Sequence, residues 1–209
     1  MTIIYLTRHT KPDKTKYKKS SNELEQNKTI ELSEEGKIKA QEFFKQQEFK
    51  NIEKVYTSDY TRSQETGKLL NKPLIIDKRL GERISGIPDS SLTPNEYFYK
   101  QIKDKNYKFK NGESRSEIET RMYESLIDII NDNQNKQTLI ITHGTSMTFL
   151  LMKYCNIEII DINKKIRQIK YNNKIIFENK FDYLETFKLT FDEYELINIE
   201  NIGNINGKI

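Results

Sequence analysis

Short apolar runs, too short for helices, alternate along this chain with amphipathic stretches, and that alternation confines it to strands separated by helices. Ile3–Ile4–Tyr5–Leu6 and Thr138–Leu139–Ile140–Ile141–Thr142 are the clearest strands, built from bulky and β-branched side chains. Asn51 to Thr57 and Leu74–Ile75–Ile76 read as shorter ones. One helix is expected after Ser33 as N-cap, with Ile38, Ala40, Phe43 and Phe44 on its apolar side. Another is expected to start at Ser58 as cap and to run through Arg62 to about Leu70. Thr93–Pro94–Asn95–Glu96 and Ser114–Arg115–Ser116–Glu117 are capping boxes. The second opens a helix whose Ile118, Met122, Leu126, Ile129 and Ile130 recur at helical spacing. Phe187, Leu189 and Phe191 alternate before Asp192–Glu193, and Tyr194 and Leu196 after it, which predicts a terminal hairpin. The expected architecture is α/β: a three-layer α/β/α sandwich with a mostly parallel sheet, helices on both faces and a C-terminal β-hairpin. Residues 1–209 read as a single domain with a lid-like insertion around 77–113, while 157–180, rich in Lys, Asn and Ile, shows no period and receives no assignment.

Composition narrows the function classes. The 209 residues carry 35 Lys+Arg against 31 Asp+Glu, a net charge of +4 with both signs interspersed, so no surface for nucleic acid is demanded. No apolar run approaches the roughly 18 to 20 residues that cross a bilayer, and Ile3 to Leu6 is too short for a signal sequence, so no membrane partner and a cytoplasmic setting are expected. A single cysteine, Cys155, excludes an internal disulfide. With only two histidines beside it, a metal centre would need carboxylates, and neither a metal nor another cofactor is expected.

Both histidines, His9 and His143, directly follow an expected strand, and in open α/β sheets ligands bind at the carboxyl ends of the strands. Arg8 adjoins His9 and Arg62 lies early in the second helix, two of seven arginines in a chain whose other cations are lysines. The planar guanidinium fork suits a phosphate better than an ammonium does. Lys14, Lys16, Lys18 and Lys19 follow His9 closely, as a solvated run or as charges that steer an anion. The aromatic residues between 97 and 109 suit either a lid over the site or core packing.

These motifs resemble the histidine phosphatase superfamily, in the branch that includes cofactor-dependent phosphoglycerate mutases and small phosphatases. Tyr5–Leu6–Thr7–Arg8–His9 is similar to its Arg-His-Gly signature, and Leu32–Ser33–Glu34–Glu35–Gly36 with Ala40 to the helix start that follows. Thr57 to Thr66 resembles the helix that supplies the second phosphate-binding arginine, and Leu80–Gly81–Glu82–Arg83 the loop that holds a proton donor. Gly112–Glu113–Ser114 and Ile141–Thr142–His143–Gly144 complete six motifs in order. The resemblance implies that His9 becomes a phosphohistidine and that Arg8, Arg62 and His143 surround the phosphoryl oxygens. It also implies that Glu82 donates and takes protons and that Arg83 and Thr15 contact substrate.

Three positions depart from the pattern. Thr10 stands where the family has glycine, which means either an ordinary turn or a shifted backbone, because a β-branched residue is poor at positive φ. Lys11–Pro12–Asp13–Lys14–Thr15 lacks an asparagine that contacts phosphate in mutases, and Thr145–Ser146–Met147–Thr148 lacks an arginine often found there. The expected function is a metal-independent phosphatase acting on a small phosphomonoester. A cofactor-dependent mutase and an inactive relative that binds phosphorylated ligands are the alternatives. Oligomeric state is unread.

Overall fold

The computed structural model describes residues 1–16 and 23–203. In chain order the elements are β1 (Thr2–Arg8), α1 (Glu23–Lys28), α2 (Glu34–Phe43), β2 (Ile52–Thr57), α3 (Thr61–Lys68), β3 (Leu74–Ile76), α4 (Pro94–Lys103), α5 (Arg115–Asp132), β4 (Gln137–Thr142), α6 (Gly144–Leu151), β5 (Asn156–Asp161), β6 (Ile166–Tyr171), β7 (Lys174–Asn179), β8 (Thr186–Asp192) and β9 (Glu195–Asn201). The described strands form two sheets. Six make the central sheet in the order β3-β2-β4-β1-β8-β9. β3, β2, β4 and β1 run parallel, and the terminal hairpin adds β8, antiparallel to β1, and then β9, antiparallel to β8.

Alternation along the parallel strands sorts the core into two layers. Ile4, Leu6, Tyr56 and Ile140 point to one face, where they meet Ile118, Met122, Leu126, Ile129 and Ile130 of α5 and Met147, Phe149, Leu150 and Leu151 of α6. Tyr5, Val55, Leu139 and Ile141 point to the other, against Ala40 and Phe43 of α2 with Phe44 and Phe49 beyond it. The result is the expected three-layer α/β arrangement with helices on both faces.

The helix starts follow their caps. Ser33 Oγ accepts the Gly36 N–H at 3.1 Å, and both capping boxes, Thr93 with Glu96 and Ser114 with Glu117, close reciprocally. Two helix expectations need correction. Ile38 is 61% exposed, because α2 turns only its Gly36, Ala40 and Phe43 stripe to the sheet. Ser58 does not cap α3: Tyr60 holds the N-cap position without a side-chain bond, Ser58 serves another partner, and the helix ends at Lys68 with Leu69 as C-cap.

The unassigned stretch 157–180 forms a separate three-stranded antiparallel sheet, β5-β6-β7. Its buried apolar residues, Ile157 and Ile169, join the core on the α5/α6 side. Among the described residues no helix is long and apolar enough to cross a membrane.

Candidate active site

Register brings the two histidines together. β1 and β4 pair parallel with Arg8 opposite Thr142, so His9 and His143 leave the sheet side by side, and the His9 N–H donates to Thr142 O at 3.0 Å. Their ring centroids stand 5.0 Å apart. β2 ends in step with them, Thr57 opposite Ile141, which delivers Ser58 and then α3 with Arg62 to the same edge.

Arg62 sits between the imidazoles. Its Nε–H donates to His9 Nε2 at 3.1 Å, its Nη2 to His143 Nδ1 at 3.3 Å, and its Nη1 to the Asn27 carbonyl at 2.6 Å. The guanidinium carbon lies 4.6 Å from the centre of the Tyr60 ring. These contacts fix both tautomers. His9 Nδ1 faces the Thr10 carbonyl at 2.7 Å, which only accepts, so Nδ1 carries the proton and Nε2 the lone pair. His143 accepts from Arg62 at Nδ1, so its Nε2–H donates to Ser58 Oγ at 2.8 Å. This bond occupies the serine expected to cap α3. Burial first, then the Arg62 and Arg8 charges, hold the His9 pKa well below its ordinary 6.5. Burial, His9 and Arg62 do the same to His143. Both rings are neutral at pH 7.

The turn after His9 is built from α2. Thr10 is fully buried and its φ is not positive, so the first of the two sequence alternatives holds: this is an ordinary turn that needs no glycine. Its Oγ1–H donates to Gly36 O at 3.0 Å and its N–H to Thr66 Oγ1 at 3.2 Å. Lys11 O accepts both the Ser33 N–H and hydroxyl, at 3.0 and 3.1 Å. A Cβ on Gly36 would fall 2.3 Å from that same oxygen, so the Leu32 to Gly36 motif fits glycine there by close approach.

Glu82 reaches the edge from the loop after Leu80. Its Oε1 accepts the Arg83 N–H at 2.9 Å and the Ser146 N–H at 3.3 Å, placing the carboxylate at the N-terminal turn of α6, where partial positive charge favours it. Arg121 steadies the loop by donating to the carbonyls of Arg79 at 2.6 Å and Gly81 at 3.0 Å, while Glu113 pairs with its Nε at 2.7 Å. Arg83 is held against Gln101 Oε1 at 2.7 Å and over the Tyr97 ring at 4.4 Å. Arg8 donates to Phe181 O at 2.6 Å and stacks over Tyr183 at 4.5 Å.

A cavity of about 450 Å³, ample for a small ligand, opens beside this edge, with Arg8, Glu82, Arg83, Thr145 and Tyr183 on its wall. His9, Arg62 and His143 are not on that wall, but the Tyr183 ring lies 5.9 Å from that of His9. Thr15 does not join them: it is exposed, and its N–H and hydroxyl are tied to Asp13 Oδ1 at 3.0 and 2.6 Å. Lys14 is exposed and adds to the positive field at His9, whereas Lys18 and Lys19 lie outside the described residues. The aromatic run divides: Tyr97 is buried and stacked on Phe109 at 3.7 Å, while Phe98 and Tyr99 of α4 face the cavity. Among the described residues no three His, Cys, Asp or Glu side chains converge as metal ligands would.

The profile of the histidine phosphatase superfamily (branch 1) matches residues 4–180. The chain belongs to this superfamily. A comparison with curated proteins returns no match. Among solved structures, the chain is similar to YhfR of Bacillus stearothermophilus, with a TM-score of 0.67 at 18% identity over 98% of each chain. A mycobacterial glucosyl-3-phosphoglycerate phosphatase gives 0.64 at 16% identity, covering 96% of this chain and 97% of its own. A phosphoglycerate mutase from Bacillus anthracis gives 0.64 at 17%, covering 98% and 94%. At these identities the likeness is one of fold.

Residues 157–180, unassigned in sequence, and the turn that follows them supply much of the cavity: Lys165, Arg167 and Lys180 line it from the first, Phe181, Asp182 and Tyr183 from the second. The strands of 157–180 carry no apolar run like that of β4, because a half-buried antiparallel sheet keeps polar residues on its open face.

Proposed function

We propose that this chain is a metal-independent phosphatase that hydrolyses a small phosphomonoester through a phosphohistidine on His9. The observation that carries this reading is the His9 tautomer: a buried, neutral imidazole whose Nδ1–H donates to Thr10 O and whose Nε2 lone pair is turned to Arg62. That is the protonation state a nitrogen nucleophile needs. On binding, the phosphoryl group exchanges the Arg62–His9 bond for N–H···O contacts of its own, with Arg8 and His143 beside it. Positive charge fixed around the transferring group is the main catalytic resource in this chemistry.

In the first displacement the His9 Nε2–P bond forms as the P–O bond to the leaving group breaks, and the Glu82 carboxyl gives its proton to the departing oxygen. In the second, water attacks phosphorus, its proton passes to Glu82, the N–P bond breaks, and inorganic phosphate leaves with the Nε2 lone pair restored. Arg83, on the cavity wall, contacts the substrate's organic part; Thr15 has no role in this scheme. Residues 1–209 act as one unit, with the 77–113 insertion and its α4 forming a lid-like wall. The partner is a small molecule, which rests on the family likeness, and not nucleic acid, which rests on the mixed charge; the setting is cytoplasmic, which rests on the short apolar runs.

The test is phosphate release from p-nitrophenyl phosphate and alkyl phosphates in EDTA by the wild type, His9→Ala and Glu82→Gln. Wild-type activity in EDTA is expected, with a loss of at least about 10³-fold in His9→Ala. Glu82→Gln should lose about 10²- to 10⁴-fold on alkyl esters and much less on p-nitrophenyl phosphate, whose leaving group needs no proton. Absence of release from every ester, or full activity in His9→Ala, would overturn the proposal.

A further inference from the structure

The cavity holds more positive charge than the transferring phosphoryl group can use. Beyond Arg8, its wall carries Arg83, Lys165, Arg167 and Lys180, against Glu82 and Asp182. Arg167 is the most constrained. Only 6% of it is exposed, its guanidinium lies between the Phe181 ring at 4.4 Å and the Phe98 ring at 5.4 Å, and its Nη1 donates to Thr148 Oγ1 at 2.5 Å. Its Nε is buried without a hydrogen-bond partner, which leaves the Nε/Nη2 edge, the side of the fork that grips a carboxylate or phosphate with two bonds, unused by the protein.

Among the described residues none of Arg8, Arg83, Lys165 and Arg167 forms an ion pair with a carboxylate. Glu185, near Arg167, is turned to Asn201, whose Nδ2 donates to it at 2.8 Å. Burial and the Arg8 charge lower the Arg167 pKa to about 10, and burial with the Arg167 and Arg8 charges lowers that of Lys165, so the cluster repels itself. A buried cation without a partner costs stability unless something else supplies the opposite charge. Phe181 joins this cluster to the reaction centre, since its carbonyl holds Arg8 and its ring holds Arg167.

We infer that Arg167 and Lys165 form a second anion site, so that the substrate is a phosphomonoester carrying a further anionic group, a carboxylate or a second phosphate, at its far end. The inference rests on the phosphatase reading for the word substrate, but its test does not need turnover.

The measurement is calorimetric affinity for three probes, propylphosphonate, 3-phosphonopropionate and propane-1,3-bisphosphonate, in the wild type, Arg167→Gln and Lys165→Asn. The wild type should bind at least one charged-tail probe about 10- to 100-fold more tightly than propylphosphonate, as a charge-assisted pair allows. Whichever probe gains, carboxylate or phosphate, identifies the anion. That ratio should fall about 10-fold or more in each variant. Lys165 is exposed at a φ of 60°, a conformation asparagine tolerates, so Lys165→Asn keeps the test decisive if Arg167→Gln does not fold. Equal affinities in the wild type, a ratio that survives both substitutions, or no binding by any probe would overturn the inference. Failure of ester hydrolysis with the affinity ratio intact would count against the phosphatase reading alone.

Discussion

Acidification should destabilise this protein through its two histidines well before its carboxylates titrate. His9 is 5% exposed and His143 is not exposed at all, and both stay neutral in the fold because burial and the Arg62 guanidinium oppose a second positive charge. In the unfolded chain each takes up a proton near pH 6.5. Below that pH the unfolded state binds more protons, so stability falls as pH falls from 6.5 toward the depressed folded values, and it is fully present above 6.5. With the folded rings neutral throughout, going from pH 7.5 to 5.5 costs about 1.4 kcal/mol per histidine and about 3 kcal/mol for the pair. Half-buried Glu119 and buried Glu185, whose pKa values are raised, work in the opposite direction, and their share cancels in the difference between wild type and variant. Urea unfolding at half-unit steps for the wild type and His143→Asn is the assay. The variant should lose about 1.4 kcal/mol less stability across the window than the wild type does. A wild type whose stability stays level or rises on acidification, or a variant with the same slope, would refute the assignment of neutral, buried imidazoles.

Two further outcomes test local structure. Restoring the family glycine by Thr10→Gly removes the buried bond to Gly36 O and loosens the unfolded chain, so thermal or urea unfolding should show a loss of about 1 to 2 kcal/mol; a gain would mean that the turn is strained by threonine. Gly86 has a φ of +76°, and a Cβ there would fall 2.5 Å from Gly112 N and Lys110 O, so Gly86→Ala should unfold at clearly lower urea, by about 1 kcal/mol or more, and an unchanged midpoint would contradict the close packing of Gly86 on Lys110 and Gly112.

The strands that carry the site were legible because their signals are local. Ile3 to Leu6 and Thr138 to Thr142 are continuous apolar runs, as buried parallel strands require, and a histidine at the end of each pointed to one sheet edge. Ser114 and Thr93 announced α5 and α4 for the same reason, since a capping box is a four-residue device. Ser58 misled because a serine before a helix has two uses, and the bond to His143, 85 residues away, is invisible locally. β5 to β7 were missed as strands, yet Asn172–Asn173 between Tyr171 and Lys174 is a hairpin signal: both asparagines have positive φ, at 48° and 62°, as the tight turn from β6 to β7 demands. Reading that turn would have placed Arg167 on a strand, but not its lodging between Phe98 and Phe181, which depends on long-range packing.

The central claim is a covalent bond between phosphorus and His9 Nε2. Rapid-quench trapping with a radiolabelled phosphomonoester, followed by peptide mapping, tests it without assuming a physiological substrate. The account predicts label that is stable to base, labile to acid and located on the peptide containing His9, with none retained by His9→Ala. Product release without trapped label at any quench time, or label on another residue, would contradict it.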